Sequence, residues 1–315
     1  MKVSKLSLFF FRLRNRFIKA YDTGFLPEKD GHSIFYQQVG NPKGIPVICF
    51  HGGPAGSSKP RQASGFDLKK YRVILFDQRG CGKSTFKDAL FKNTIQDTID
   101  DAKRLLEHLK IKQKVVATGA SYGSTCAVLF AETYPDLVEK IIVCSVFLAR
   151  PKDYENMSSS AVLFYPDALS LFQKFANQEQ KTVFDYFYDL IFSSKPSNQK
   201  KALRFYGAFE HQLGHKDVSF PKIEGLFDKR VLKMRIMMHY MKARFFLTDN
   251  QLVRDAKKIR RIPTVIFQNR LDFICPPYQA HQLHKALPHS FLYLVDDMGH
   301  GSDKMRYIQY LKNKE

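Results

Sequence analysis

The five residues at 119–123 have the types and spacing that nucleophilic chemistry requires. They read Gly-Ala-Ser-Tyr-Gly and lie between an apolar run that predicts a strand and a stretch that predicts a helix. This order is the context of a nucleophile elbow, in which a serine sits on a sharp strand-to-helix turn. Gly119 and Gly123 suit such a turn because a Cβ atom two residues from Ser121 would be crowded. An ordinary strand–turn–helix with a surface serine is the alternative interpretation.

A nucleophilic serine needs a base that takes its proton and an acid that orients this base. Two later apolar runs, 264–267 and 291–295, predict two further strands. Asp272 follows the first and His300 follows the second, which is the chain order expected on this kind of sheet. Asp272 and His300 are therefore the candidate acid and base. Two other carboxylates compete for the role of the acid: Asp296 and Asp297.

A glycine-rich turn earlier in the chain is the candidate for an oxyanion hole. Residues 45–50 predict a strand, and His-Gly-Gly-Pro follows directly at 51–54. An oxyanion hole takes one amide from the residue after the nucleophile and one from an early loop. Consecutive glycines allow the chain to turn an amide inward. We therefore predict the amides of Gly53 and Tyr122 as the two donors, with a turn that binds no ligand as the alternative.

The segment at 77–84, Asp-Gln-Arg-Gly-Cys-Gly-Lys-Ser, ends in the way a phosphate-binding loop does. That loop requires a glycine five residues before its second glycine. Asp77 occupies this position, so the nucleotide-binding interpretation fails. We expect Asp77 and Arg79 to hold a turn near the edge of the active site, where neither acts on the substrate.

A family resemblance rests on five segments of the sequence. Three are described above, at 51–54, 77–84 and 119–123; the others are Arg-Leu-Asp-Phe-Ile-Cys-Pro-Pro at 270–277 and Gly-His at 299–300. The chain resembles the proline iminopeptidases (prolyl aminopeptidases), serine peptidases of the α/β-hydrolase superfamily. The resemblance implies an α/β-hydrolase fold: a mostly parallel central sheet with flanking helices and an inserted helical cap. It implies Ser121 as the nucleophile, His300 as the general base and then acid, and Asp272 as the orienting carboxylate. We expect no cofactor and no metal.

The resemblance also implies two cap glutamates that hold the free amino group of the substrate. Glu210 lies in a segment that resembles the first, but Met237 stands where the second is expected. The family usually has Trp after the nucleophile, where this chain has Tyr122. The leading hypothesis is release of an N-terminal residue, preferably proline, from short peptides. Because of Met237, a carboxylesterase or amidase whose substrate lacks a free amine remains the alternative.

The chain of 315 residues is long enough for one catalytic domain with an insertion. Strand-like runs alternate with helical patterns through residues 33–145 and again from 264 to the end, which is typical of parallel βαβ units. This predicts a catalytic α/β domain made of residues 21–148 and 256–315. Residues 149–255 lack clear strands and carry Phe, Tyr and Leu at helical spacing, which predicts a helical cap. Residues 1–20 form a basic N-terminal extension.

The chain is strongly basic, with 50 Lys and Arg against 30 Asp and Glu. The basic residues are spread along the whole chain without a recognised nucleic-acid motif. We therefore expect a solvated basic surface, a small peptide substrate and no nucleic-acid partner. A non-catalytic descendant that binds a polyanion is a third hypothesis. The five cysteines show no metal spacing and suit a reducing compartment, which predicts a cytoplasmic protein. The oligomeric state is not predicted.

The basic extension contains a short apolar run with lysines and arginines on both sides. The run is too short to span a bilayer, and the arginines after it argue against a cleaved secretory signal. Three interpretations stay open: a helix packed on the catalytic domain, a surface helix in weak contact with anionic lipid, and a transit peptide.

Overall fold

The computed structural model describes residues 17–154, 181–214, 227–296 and 299–300. Residues 1–16 lie outside this set, so all three interpretations of the basic extension stay predictions. Among the helices that are described, none is long and apolar enough to cross a membrane.

The central feature of the described residues is an eight-stranded sheet with the order β1-β3-β5-β4-β7-β8-β9-β10. The strands are β1 (Asp22–Phe25), β2 (His32–Ser33), β3 (Phe35–Gly40), β4 (Ile45–Phe50), β5 (Tyr71–Phe76), β6 (Thr85–Phe86), β7 (Val115–Ser121), β8 (Val138–Val146), β9 (Thr264–Asn269) and β10 (Ser290–Val295). The pairs β1–β3 and β3–β5 are antiparallel, and every other pair in this sheet is parallel. Strands β2 and β6 form a separate antiparallel pair.

Seven α-helices accompany the sheet in the described part of the chain. They are α1 (Ile95–His108), α2 (Tyr122–Thr133), α3 (Val183–Phe192), α4 (Pro196–Gly214), α5 (Phe227–Lys242), α6 (Gln251–Asp255) and α7 (Pro277–Ala286). Helix α1 begins after Thr94, whose side chain accepts from the amide of Asp97 while the Asp97 carboxylate accepts from the amide of Thr94. This reciprocal capping box satisfies two amides that the first turn would leave unpaired.

The parallel strands are buried on both faces, which is why they read as continuous apolar runs. Successive residues point to opposite faces, so Ile48 and Ile74 belong to the cluster that includes residues of α1 and α2. Their neighbours Val47 and Val73 belong to the cluster on the other face. The α/β architecture with a mostly parallel sheet agrees with the predicted fold class.

In the described part of the predicted cap, α3, α4 and α5 share their own apolar cluster. No strand occurs among the described residues between 149 and 255. The exact division into catalytic and cap domains stays a prediction.

The parallel direction of β4, β5, β7, β9 and β10 places the loops after them at one edge of the sheet. These are the loops for which the sequence predicts the oxyanion hole, the Asp77 turn, the nucleophile, the acid and the base.

Candidate active site

Ser121 lies at the junction between β7 and α2 in a backbone conformation that non-glycine residues rarely adopt. Its φ is 56° and its ψ is −131°. A conformation of this kind costs on the order of 1–3 kcal/mol and persists only where the surrounding structure imposes it. The surrounding structure therefore holds Ser121 on the sharp turn between strand and helix, which is the geometry predicted for a nucleophile elbow.

The two glycines of the elbow are required by close backbone contacts. A Cβ atom on Gly119 would overlap the carbonyl oxygen of Gly123. A Cβ atom on Gly123 would overlap the carbonyl oxygen of Phe50, at the end of β4. The glycines therefore let the elbow close on itself and let helix α2 pack against the neighbouring strand.

Hydrogen bonds of two side chains in the first turn of α2 stabilise the elbow. The hydroxyl of Ser124 donates to the carbonyl oxygen of Ser121 over 2.6 Å and accepts from the amide of Phe147 over 3.0 Å. The hydroxyl of Thr125 donates to the carbonyl oxygen of Phe147 over 2.6 Å. The elbow is thus linked to the chain that leaves β8, so Ser121 cannot relax without disturbing these hydrogen bonds.

Asp272 and His300 meet at the same edge of the sheet. Nδ1 of His300 lies 3.0 Å from each carboxylate oxygen of Asp272. The Asp272 side chain is fully buried, and its Oδ1 also accepts from the amides of Ile274 and Cys275 over 3.1 and 2.8 Å. An ionised carboxylate can only accept, so Nδ1 of His300 donates to it. In the neutral ring, Nε2 is then left as a proton acceptor.

Asp296, one of the two competing carboxylates, makes a different contact: it forms an ion pair with the exposed Arg270 over 2.6 Å. The other, Asp297, lies outside the described residues. Among the described carboxylates considered for the acid, Asp272 is the one that contacts His300.

Ser121 and His300 line one cavity of about 270 Å³. Its wall is formed by the ends of β4, β5, β7, β8 and β9 and by the loop after β4, and it is largely apolar. Gly52 and Asn269 also line it. The predicted nucleophile, the predicted base and the glycine-rich loop therefore line one cavity that can receive a small substrate.

Cys275 lies beside the nucleophile, a position that the sequence analysis did not assign. Its Sγ is 3.9 Å from Oγ of Ser121. Burial, and then the nearby Asp272 carboxylate, raise the pKa of the Cys275 thiol well above its ordinary value. The thiol therefore stays protonated and does not compete with Ser121 as a nucleophile. The available signal was its place three residues after Asp272, in the Cys-Pro-Pro segment.

Of the two predicted oxyanion donors, Tyr122 directly follows Ser121, and Gly53 follows Gly52, where a Cβ atom would lie 3.6 Å from Cβ of Ser121. Gly53 has a φ of 139°, in the region that favours glycine, and its Cβ would lie 2.7 Å from the amide nitrogen of Ala55. Tyr122 begins α2, and its buried ring packs edge to face on Tyr240 with 5.5 Å between ring centroids. This packing holds the backbone directly after the nucleophile. The oxyanion role of both amides stays a prediction.

The predicted amine-binding residues lie on two cap helices. Glu210 falls within α4, but its side chain lies outside the described residues. Met237 lies on α5, 9% exposed, in the apolar cluster shared by the cap helices. Phe273 and Ile274, which follow the predicted acid, pack against the same cluster. Position 237 therefore has apolar surroundings that suit methionine.

One group of side chains in the described part could hold a metal ion. Ligand atoms of Asp272, Cys275 and His300 lie within 4.8 Å of one another. The group contains the predicted acid and base, and Oδ1 of Asp272 already accepts two amides and the His300 ring. The expectation of a site without metal or cofactor stays a prediction.

The geometry agrees with what comparison with known proteins shows. The family profile described as the α/β-hydrolase fold matches residues 45–302. An esterase from Exiguobacterium antarcticum superposes with a TM-score of 0.62 at 20% identity, over 93% of this chain and 99% of that one. A proline iminopeptidase-related protein from Thermus thermophilus superposes with a TM-score of 0.61 at 18% identity, over 93% and 96%. The chain belongs to the α/β-hydrolase fold family.

Relatives with similar sequences indicate which family of α/β hydrolases the chain belongs to. A protein of Leptolyngbya boryana named probable proline iminopeptidase is 37% identical over 90% of this chain and 89% of its own length. The proline iminopeptidase of Arabidopsis thaliana is 34% identical over 91% of this chain and 77% of its own length. Within the α/β hydrolases, the chain belongs to the proline iminopeptidase family.

Proposed function

We propose that this chain is a serine aminopeptidase that releases an N-terminal residue, preferably proline, from peptides through an acyl-enzyme on Ser121. The observation that carries the proposal is the strained Ser121 in one cavity with His300, whose ring is hydrogen-bonded to the buried Asp272. The names of the sequence relatives supply the substrate class.

In the proposed reaction, Nε2 of His300 takes the proton of the Ser121 hydroxyl as Oγ attacks the carbonyl carbon of the scissile amide. The Asp272 carboxylate holds the ring in the required tautomer and stabilises the imidazolium that forms. The amides of Gly53 and Tyr122 donate to the oxyanion of the tetrahedral intermediate. His300 then protonates the leaving amine, and water hydrolyses the acyl-enzyme by the reverse proton movements.

The decisive test compares a proline arylamide with a series of acyl esters on the wild type and on Ser121→Ala. We expect turnover of the arylamide by the wild type, and a loss of at least about 10³-fold in Ser121→Ala without loss of fold. Ser290→Ala is the matched control. Ser290 lies at the start of β10, forms a hydrogen bond with His284 and is not among the residues that line the cavity. If the wild type cleaves only esters, the peptidase proposal is wrong and the hydrolase proposal stands.

The apolar surroundings of Met237 favour one alternative, a carboxylesterase or amidase that acts on substrates without a free α-amine. The two functions separate on Glu210. If Glu210 binds the ammonium group, Glu210→Gln loses a charge-assisted hydrogen bond, worth about 1.5–3 kcal/mol, which lowers kcat/KM for the arylamide about 10- to 100-fold. A neutral ester should be affected little. Glu107→Gln on the surface of α1 controls for the change in net charge. Little effect of Glu210→Gln on either substrate would favour the esterase.

We further propose a cytoplasmic location. The proposal is supported by buried thiols that a reducing compartment preserves. Burial raises the pKa of Cys81 and of Cys126 to about 12, so both stay protonated. Fractionation of cells that express the full chain with a C-terminal tag tests it, and recovery of the chain in an organelle or membrane fraction would contradict it.

A further inference from the structure

The loop formed by residues 51–58, here called the oxyanion loop, runs from the end of β4 past the nucleophile. A Cβ atom on Gly52 would lie 3.1 Å from the carbonyl oxygen of Ala120 and 3.6 Å from Cβ of Ser121. The backbone of the loop is therefore in near contact with the elbow. Any displacement of the loop would move its amides relative to Oγ of Ser121.

The first end of the oxyanion loop is held by two hydrogen bonds from one residue. The amide of Gln78 donates to Nε2 of His51 over 3.1 Å, and the Gln78 side-chain amide donates to the His51 carbonyl oxygen over 3.0 Å. Gln78 is 3% exposed and His51 is 5% exposed. Both bonds are shielded from water, so neither partner has solvent as a substitute.

These contacts also define the protonation state of His51. A backbone amide only donates, so Nε2 of His51 must accept. The ring proton is then on Nδ1, which lies 2.9 Å from the carbonyl oxygen of Gly52 and donates to it. Burial lowers the pKa of His51, which keeps the ring neutral. A single neutral tautomer of His51 thus connects the backbone amide of Gln78 to the carbonyl oxygen of Gly52 in the oxyanion loop.

The second end of the loop is held by the residue that precedes Gln78. Oδ1 of Asp77 accepts from the amide of Ser58 over 2.5 Å, and Oδ2 accepts from the amide of Lys83 over 2.8 Å. Asp77 is buried. Its carboxylate therefore joins the far end of the oxyanion loop to its own turn, with charge-assisted hydrogen bonds at both oxygens.

The residue after Gln78 anchors this arrangement to the catalytic domain. The buried guanidinium of Arg79 donates to both carboxylate oxygens of Asp101 over 2.7 and 3.1 Å and to the carbonyl oxygen of Lys92. Asp30 and Asp97 lie 3.3 and 3.4 Å from it. Gln78 therefore lies between two buried, charged residues and has little freedom to move.

We propose that Asp77 and Gln78 are positioning residues that clamp the two ends of the oxyanion loop and so place its amide donor over Ser121. Neither side chain has a described hydrogen bond to the nucleophile, so both act through the loop. The inference rests on the proposed role of Ser121, but not on the preference for proline.

Gln78→Met tests the clamp, because it keeps the length of the side chain and removes the donor to the His51 carbonyl oxygen. Two reporters are independent of peptide specificity: hydrolysis of p-nitrophenyl acetate and the rate at which a fluorophosphonate labels Ser121. We expect kcat and the labelling rate to fall about 10- to 100-fold, a part of the 10²–10³ that loss of a whole oxyanion donor costs. KM should change less than twofold.

Gln279→Met is the matched control. Gln279 is 2% exposed, and its side chain accepts from the amide of Leu148 over 2.7 Å, so this variant also loses a buried hydrogen bond. No described hydrogen bond joins Gln279 to the oxyanion loop. Its kcat should stay within threefold of the wild type. An equal loss in both variants would mean that Gln78 has only a general structural role, and the proposal would be overturned.

Two variants of His51 test the same clamp from its other side. His51→Gln keeps an acceptor near the position of Nε2, whereas His51→Leu removes it. We expect labelling of folded His51→Gln, judged by circular dichroism, to exceed that of folded His51→Leu by at least fivefold. If Gln78→Met does not fold, this pair decides by the same criterion. Equal rates in the pair overturn the clamp, whereas an unlabelled wild type overturns the proposed function itself.

Discussion

Glu132, near the end of α2, carries a buried carboxyl group that should make the stability of the protein depend on pH. It is 4% exposed, and neither of its carboxyl oxygens has a hydrogen-bond partner among the described residues. Burial, and then the nearby Asp255, raise its pKa from 4.5 to about 9. Arg254 and Lys258 oppose this shift only partly, because both form ion pairs with Asp255.

The sign and size of the effect follow from the two pKa values. Between pH 4.5 and about 9 the unfolded chain has lost the Glu132 proton while the folded chain keeps it, so stability falls as pH rises. Each unit of pH in this window lowers the free energy of unfolding by about 1.4 kcal/mol. The cost is about 1 kcal/mol at pH 5 and about 3 kcal/mol at pH 7, and it levels off above the folded pKa.

Urea denaturation of the wild type and of Glu132→Gln at pH 5, 7 and 8 measures this cost. The variant cannot ionise, so we expect its advantage in unfolding free energy to grow by about 4 kcal/mol from pH 5 to pH 8. Glu139→Gln is the matched control, because Glu139 is exposed on β8 and its replacement changes the net charge equally. If the Glu132→Gln curve runs parallel to that of the wild type, Glu132 is not buried in its neutral form and the reasoning is wrong.

Three further predictions concern the scaffold of the site. Gly123→Ala should abolish fluorophosphonate labelling of Ser121, because the added Cβ overlaps the end of β4 and must displace the elbow; labelling equal to wild type would contradict this. Arg79→Met removes the buried partner of Asp101, which keeps only the more exposed Arg104 over 2.8 Å, and should lower the unfolding free energy by about 3 kcal/mol in urea denaturation, whereas a change under about 1 kcal/mol would refute the role of the Arg79–Asp101 ion pair. Asn93→Ala removes the acceptor of the Tyr240 hydroxyl, over 2.9 Å, and should speed hydrogen exchange in α5 but not in α1.

Much of the fold and of the candidate site could be predicted because short stretches of the sequence determine them. The apolar runs at β4, β7, β9 and β10 mark strands, and a parallel sheet places the loops after such strands at one edge. The positions of Asp272 after β9 and of His300 after β10 predict that the two residues lie near each other, and in the structure Nδ1 of His300 lies 3.0 Å from Oδ1 of Asp272. The two glycines around Ser121 could be predicted for the same reason, because the steric demand of an elbow acts within five residues.

The partners of the loops could not be predicted, because they are distant in the sequence and their residue types are common. Gln78 reaches His51 across 27 positions, and Asp77 reaches Ser58 across 19. Cys275 lies beside Ser121 although 154 positions separate them. A period of apolar residues indicates which face of a strand is buried, but it does not indicate which polar side chain a neighbouring loop will meet.

The Asp-Gln-Arg segment shows what kind of sequence signal such contacts leave. Its resemblance to a phosphate-binding loop fails at Asp77, and it contacts neither Ser121 nor His300 through any described hydrogen bond. Each of its three residues is nevertheless buried and makes two or more polar contacts with other parts of the chain. Burying a glutamine and two charged groups is costly unless their hydrogen bonds are satisfied. The Asp-Gln-Arg segment follows an apolar strand, and its turn lacks the glycine of a phosphate-binding loop. Three consecutive polar residues in this setting therefore indicate hydrogen bonds that hold a neighbouring loop in place. Here that loop is the one that approaches the nucleophile.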